Sequence, residues 1–203
     1  MAPIRFAAVA IGLVWLTGGC TALKRFAYEG IGRDDWQRPE RVVEALRIEK
    51  GAHIADLGAG GGYFTFRLAD AAGPDGLVWA VDVDPGMVAF LRERSAADGY
   101  ENVRVVEAAP DDPRLPAGAI DLVFTCNTYH HIPERVAYFS RLRRALAPSG
   151  RVAIVEHRSE GFLARLFGHA TGDDVIRREM EAAGYRLDAA HDFLPRQSFL
   201  VFR

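Results

Sequence analysis

Three glycines spaced behind an acid are the part of this chain best suited to chemistry. Asp56, Gly58, Gly60 and Gly62 alternate in the run I-A-D-L-G-A-G-G-G-Y-F-T at residues 54–65. A short apolar stretch, residues 53–57, ends near the acid, and the glycines lead into residues 63–72, where apolar side chains recur at helical spacing. Glycine lets backbone approach a ligand closely because no side chain intervenes. Exposed N–H groups at a helix start add a local positive potential. Strand, tight turn and helix start in that order can hold a nucleotide-like molecule. A second polar cluster, T-C-N-T-Y-H-H-I at residues 125–132, brings Tyr129, His130 and His131 together, all types able to take a proton from a substrate.

Spacing decides which nucleotide. The dinucleotide fingerprint is G-x-G-x-x-G, whose third glycine packs helix on strand. Counting from Gly58 places Tyr63 at that third position, and counting from Gly60 places Thr65 there. Neither register fits. The pattern Asp56-x-Gly58-x-Gly60-x-Gly62 instead resembles motif I of the class I S-adenosylmethionine-dependent methyltransferases. That resemblance implies S-adenosylmethionine as cofactor, with Gly58, Ala59, Gly60 and Gly62 in the turn against it and Asp56 toward the ammonium of its amino-acid tail, directly or through water.

The later strand ends extend the same resemblance. Asp82 lies about 20 residues beyond the turn, where an acid accepts both ribose hydroxyls. By comparison with the family motif Asp82 is the ribose acid, with Val83 beside it and Asp84 as the alternative. After the third strand the chain departs from the family, which often carries Gly-Asp there to bind the adenine amino group. Here residues 107–112 read E-A-A-P-D-D, and Ala109 falls on the usual Asp. Either Asp111 or Asp112 substitutes, or packing and backbone alone hold the base, at a cost of about 1–3 kcal/mol for one lost hydrogen bond. The polar loop after the fourth strand resembles a family segment that often reads Leu-His-His. It implies Asn127 at the cofactor and His130, His131 or Tyr129 as a base near the acceptor, although a histidine there also caps or packs the following helix. Glu156 and His157 close the fifth strand and can reach the acceptor side. No metal site is expected, because adjacent histidines rarely converge on one ion and no other His or Cys has ligand spacing.

These residues need elements to position them. The pattern predicts a helix over residues 39–48 with Pro39 near its first turn, strands at 53–57, 77–83, 103–107, 120–125 and 152–156, and helices at 64–72, 86–97 and 133–146 between them. A Pro-Ser-Gly turn at 148–150 is expected to stop the last of these helices. Strands alternating with helices imply a parallel α/β sheet. The tail differs: a helix at 173–183, then strands at 185–193 and 198–202 joined by Pro195-Arg196-Gln197, a connection so short that it demands an antiparallel hairpin. A mostly parallel seven-stranded sheet finished by such a hairpin resembles the Rossmann-like class I methyltransferase fold, and the resemblance covers about residues 38–203. Residues 21–37 read as a linker and N-terminal arm, with Tyr28 and Trp36 as aromatic anchors.

Composition sets the remaining bounds. The chain has 203 residues, 49% of them hydrophobic, enough for one domain with a substantial core, and a net charge of −2 that implies no nucleic-acid partner. Arg5, the apolar run 6–16 and Thr17-Gly18-Gly19-Cys20 resemble a bacterial lipoprotein signal, with Thr17 where the usual leucine stands. The resemblance implies an acylated Cys20 and a location on the periplasmic side of a membrane; the alternatives are an uncleaved anchor, or a misassigned start codon upstream of a cytoplasmic protein. Cys126 closes an apolar run and reads as a buried structural thiol. Residues 161–168, G-F-L-A-R-L-F-G, form an apolar segment suited to a lid, a membrane-facing patch or simple packing, and His169 follows it at the surface.

The function this implies is methyl transfer from S-adenosylmethionine to a small-molecule or lipid-like acceptor. An exported lipoprotein that keeps the fold without catalysis is a second expectation, favoured by Ala109 and the export signal. A nicotinamide-dependent reductase is a third, opposed by the glycine spacing.

Overall fold

A computed structural model describes residues 32–158 and 171–203. The expected signal with Cys20, the aromatic anchor Tyr28, the 161–168 segment and His169 lie outside the described residues. The elements run α1 (Arg33–Gln37), α2 (Pro39–Leu46), β1 (His53–Leu57), α3 (Thr65–Ala72), β2 (Leu77–Asp82), α4 (Pro85–Ala97), β3 (Val103–Glu107), β4 (Ile120–Cys126), α5 (Arg135–Leu142), β5 (Leu146–His157), α6 (Asp173–Ala182), β6 (Leu187–His191) and β7 (Gln197–Phe202). Among these residues no helix is long and apolar enough to cross a membrane.

The strands form one sheet in the order β3-β2-β1-β4-β5-β7-β6. β1 to β5 run parallel, and β7 pairs antiparallel with both β5 and β6. The seven-stranded, mostly parallel α/β sheet with an antiparallel C-terminal hairpin is therefore as the sequence implied. Strands in the middle of this sheet are buried on both faces, which is why they read as continuous apolar runs rather than alternating ones. Ile54, Leu122, Phe124 and Val155 pack under α2 and α3. Ala55, Leu57, Val123 and Ile154 pack on the other face with Phe139 and Leu142 of α5 and Met180 of α6.

Four local differences have physical causes. The helix expected at 133–146 starts only at Arg135, because Glu134 adopts left-handed backbone (φ 44°) and makes Pro133-Glu134 a turn; past Leu142 it tightens into a 3-10 turn, Arg143–Ala145. β5 starts at Leu146 instead of 152. Leu146 pairs with Ile120 and Arg151 with Leu122, so the Pro-Ser-Gly segment is an irregularity inside a strand rather than its boundary. β6 is shorter than the expected 185–193, because Tyr185 turns into the core and its hydroxyl donates to the Phe139 carbonyl at 3.0 Å. Finally, the N-terminal arm holds a short helix, α1. It docks through the fully buried Gln37, whose amide donates to Gln197 Oε1 at 3.2 Å.

Candidate active site

In an open parallel sheet the crevice for ligand lies beyond the carboxyl ends of the strands where their order reverses. Here that point is β1 between β2 and β4. Its turn is pinned to β2 by Gly58 N and Ala59 N, which donate to the Val81 carbonyl at 2.8 and 3.1 Å. Gly58 and Gly62 take φ of 72° and 85°, left-handed backbone that side chains resist. A Cβ at Gly58 would sit 2.7 Å from Thr128 Cβ, and one at Gly62 would sit 2.9 Å from Leu91 Cδ2. Gly58 is thus required twice over, for its φ and for the approach of the β4 loop. Gly58→Ala is expected to lower the melting temperature by about 4 °C, the left-handed strain of about 1–2 kcal/mol spread over a domain of this size. Thermal unfolding followed by circular dichroism checks it.

The turn leads into two cavities that share Gly58, Gly60, Asn127 and Thr128. The larger, about 440 Å³, has a mainly apolar wall that includes Leu57, Val81, Ile132 and Pro133, with Asp82 and Val83 at its rim. Asp82 is held by backbone: Gly60 N donates to its Oδ2 at 2.8 Å and Asp84 N to its Oδ1 at 2.9 Å. Each oxygen keeps a lone pair for a further donor. Asp84 is spent differently, capping α4 by accepting from Gly86 N at 2.8 Å.

The smaller cavity, about 220 Å³, lies over Asp56 and is walled by Arg33 and Trp36 of α1, Tyr63, Phe64 and His157. Asp56 is 3% exposed and accepts from Thr65 Oγ1 at 2.6 Å. Burial raises its carboxyl from 3.8 to about 7, with Thr65 and Arg33 opposing and Asp82 adding to the rise. The unfolded chain therefore ionises Asp56 near pH 4, while the folded chain keeps the proton until about 7. Stability from this group is fully present below the lower value and is lost as pH rises through the upper one. Urea midpoints of the unliganded protein are expected to fall across that window, and Asp56→Asn is expected to flatten the slope.

The β4 loop places its candidates unequally. Asn127, with φ 53°, sits at the junction of both cavities and is fixed by Gln197 Nε2, which donates to its Oδ1 at 2.7 Å. His131 lines the larger cavity. His130 lines neither cavity; its Nδ1 is 3.0 Å from Oε1 of the fully buried Glu156. Tyr129 is fully buried and points away from both cavities, its hydroxyl donating to Glu179 Oε2 at 2.8 Å while Arg135 holds the same carboxylate. Its phenol is pushed well above its ordinary value, by burial first and then by Glu179. The turn after β3 is closed by Ala109 N to the Asp112 carbonyl (3.0 Å) and Asp112 N to the Ala109 carbonyl (3.2 Å). That closure carries Asp111 out of the groove, beside Arg141 and Arg144, and leaves Ala108, Ala109 and Pro110 as the wall. Cys126 is half-buried on the wall of the smaller cavity rather than fully buried, and desolvation pushes its thiol up to about 12.

Two contributors were not singled out by sequence reasoning. Arg33 fell in what read as a linker, yet its guanidinium lies 3.7 Å above the Tyr63 ring and beside Asp56. Gln197 read as a turn residue and is instead buried beneath Asn127. A five-residue helix is too short to leave a periodic signal. Among the described residues, no group of three or more His, Cys, Asp or Glu is placed to hold a metal ion.

The sheet order, the glycine turn at its switch point and the acid ending β2 now stand together with the chain's likeness to known proteins. Residues 54–150 match the methyltransferase-domain family. A methyltransferase described as S-adenosylmethionine-dependent, from Aquifex aeolicus, superposes with a TM-score of 0.80 at 23% identity, covering 88% of this chain and 96% of that one. The fold is the Rossmann-like methyltransferase fold. Aklanonic acid methyltransferase DauC of Streptomyces sp. (strain C5) is 28% identical over 113 residues, 56% of this chain and 51% of that protein. Nocamycin O-methyltransferase of Saccharothrix syringae is 30% identical over 114 residues, 56% of this chain and 41% of its own length. The chain thus spans about half, or less, of the length of these curated methyltransferases.

Proposed function

We propose that the protein binds S-adenosylmethionine in the joined cavities and transfers its methyl group to a small-molecule acceptor. The observation that carries the reading is Asp82, at the end of β2, with each carboxylate oxygen oriented by one backbone N–H and free to accept once more. The cavities fit the cofactor's parts. A ribose meets Asp82, a flat base lies between Val83 and the wall of Ala109 and Pro110, and an amino-acid tail meets Asp56 and Arg33, a carboxyl and a guanidinium for its two charges. The base would then be held by packing and backbone, since Asp111 stands outside the groove. When bound, the cofactor supplies an electrophilic methyl group on sulfur.

What the chain does is place and shield the reactants. Asn127 and Thr128 lie at the waist between the cavities, and the acceptor approaches across Trp36 and His157. His157 stacks on Trp36, centroids 5.5 Å apart, and burial lowers its imidazole from the ordinary value. A neutral imidazole on that wall suits a proton acceptor for an oxygen or nitrogen nucleophile. His130 acts at a remove, through Glu156, whose carboxylate also fixes the His157 backbone N–H at 2.9 Å.

Thermal shift of the full chain tests the reading. Stabilisation by S-adenosylhomocysteine and none by NADH supports it; a shift with NADH alone would replace it with a reductase. Transfer of labelled methyl from S-adenosylmethionine to a panel of phenolic, amine and lipid acceptors then separates an enzyme from an idle fold. We further propose, from the residues before Cys20, that the protein is exported and acylated there. Labelling with radioactive palmitate, lost in Cys20→Ser, tests it, and an unlabelled wild type refutes it.

A further inference from the structure

A further cavity, at the amino end of β5, shares no lining residue with the two at the glycine turn. It measures about 580 Å³ and lies between α2 and the β6–β7 hairpin. Its floor is apolar, made by Leu46, Val201 and Ala189, with Phe193 on the wall. Its rim carries four arginines, Arg41, Arg47, Arg151 and Arg203, against two carboxylates, Glu44 and Asp188.

The arginines are not neutralised evenly. Asp188 is taken by Arg203, Nε to Oδ2 at 2.9 Å. Arg41 lies over the Phe193 ring, 4.6 Å from its centroid. Arg151 is half-buried and turned into the cavity wall, where it donates to the carbonyls of Leu46 and, at 3.3 Å, Arg47, capping α2. That cap uses one nitrogen of a group with five N–H donors. Burial first, then Arg203 and more weakly Arg47, lower the Arg151 guanidinium's affinity for its proton, against Asp188 and Glu49, which raise it; a half-buried cation thus stands beside two more exposed ones. Such an arrangement raises the energy of the empty cavity, and an oxyanion placed among them relieves it with charge-assisted, partly bidentate bonds.

We propose that this cavity is a second binding site, for an organic oxyanion: a phosphate or carboxylate head held by Arg151, Arg47 and Arg41, with an apolar body lying on Leu46, Val201 and Phe193. The volume is that of a small-molecule site, and an apolar floor under a few placed polar groups is how such sites are made. The ligand does not share the groove at Asp56 and Asp82, so the two sites fill independently of whether methyl transfer is the chain's activity.

Calorimetric titration of the full chain with octyl phosphate and, separately, inorganic phosphate tests the proposal. Octyl phosphate is expected to saturate one site with higher affinity than inorganic phosphate, because only it covers the floor. Arg151→Gln is expected to weaken it about tenfold, one charge-assisted bond. Because Arg151 also caps α2, the double variant Arg41→Gln/Arg47→Gln at exposed positions is the control for folding, and a loss of similar size is expected there. Sedimentation with phosphatidylglycerol vesicles but not phosphatidylcholine, competed by octyl phosphate, would identify a lipid headgroup as the source; no sedimentation would identify a soluble anion. No saturable binding, binding indifferent to all three arginine substitutions, or displacement by S-adenosylhomocysteine would each overturn the site.

Discussion

Asp82→Ala is expected to abolish the thermal stabilisation that S-adenosylhomocysteine gives the wild-type protein, with an affinity loss of several hundredfold by calorimetry. Two ribose hydroxyls donating to one carboxylate are two charge-assisted hydrogen bonds, each about 1.5–3 kcal/mol. Water cannot replace them at the same cost, because Gly60 N and Asp84 N already fix how the carboxylate faces the groove. The substitution also removes those two anchors, so the turn is expected to loosen slightly. Asp82→Asn separates the effects. It retains one of the two backbone bonds and loses the charge, so binding falls while the melting temperature falls less than in Asp82→Ala. If Asp82→Ala binds S-adenosylhomocysteine as the wild type does, the ribose assignment fails.

Glu156→Ala is expected to be the most damaging single change to stability. The carboxylate is fully buried. It receives His130 Nδ1 at 3.0 Å, His130 N at 3.3 Å and His157 N at 2.9 Å. Alanine leaves all three polar groups in the interior without their acceptor. Breaking one side of a buried hydrogen-bonded pair costs about 3–5 kcal/mol, or about 6–20 °C in melting temperature for a domain of this size. Glu156→Gln keeps an acceptor oxygen and is expected to recover most of the loss. Because the same carboxylate fixes the start of the β4 turn and the end of β5, the Gln variant is also expected to depress methyl transfer more than cofactor binding.

The sequence showed most of the groove and less of what surrounds it. β1, the glycine turn and Asp82 were legible because their constraints are local: an apolar run, glycines where φ must be positive, an acid at a fixed distance. β3 was legible for the same reason, as a short β-branched run. Asp111 was not, because its direction depends on a turn closed between Ala109 and Asp112 backbone, which any residues can make. Tyr129 looked like a neighbour of the histidines and was instead drawn into the core by Glu179, 50 residues away. β5 was read as starting late because proline and glycine punctuate a strand locally, while pairing with Ile120 is decided by the partner. The arginine cavity left no motif, since its members come from α2, β5 and the end of the chain and meet only when the hairpin closes.

The docking of α1 has a kinetic consequence. Arg33 and Trp36 form the outer wall of the smaller cavity, and α1 is fastened by Gln37 to Gln197, which in turn holds Asn127. The cavity over Asp56 is present with that wall in place, so a ligand settled there lies against α1 and the bonds that fasten it. Escape therefore depends on how firmly α1 is held: in competition experiments the dissociation rate should follow the stability of the Gln37–Gln197 contact. Substituting Gln37 with alanine should loosen α1 and speed escape of the ligand.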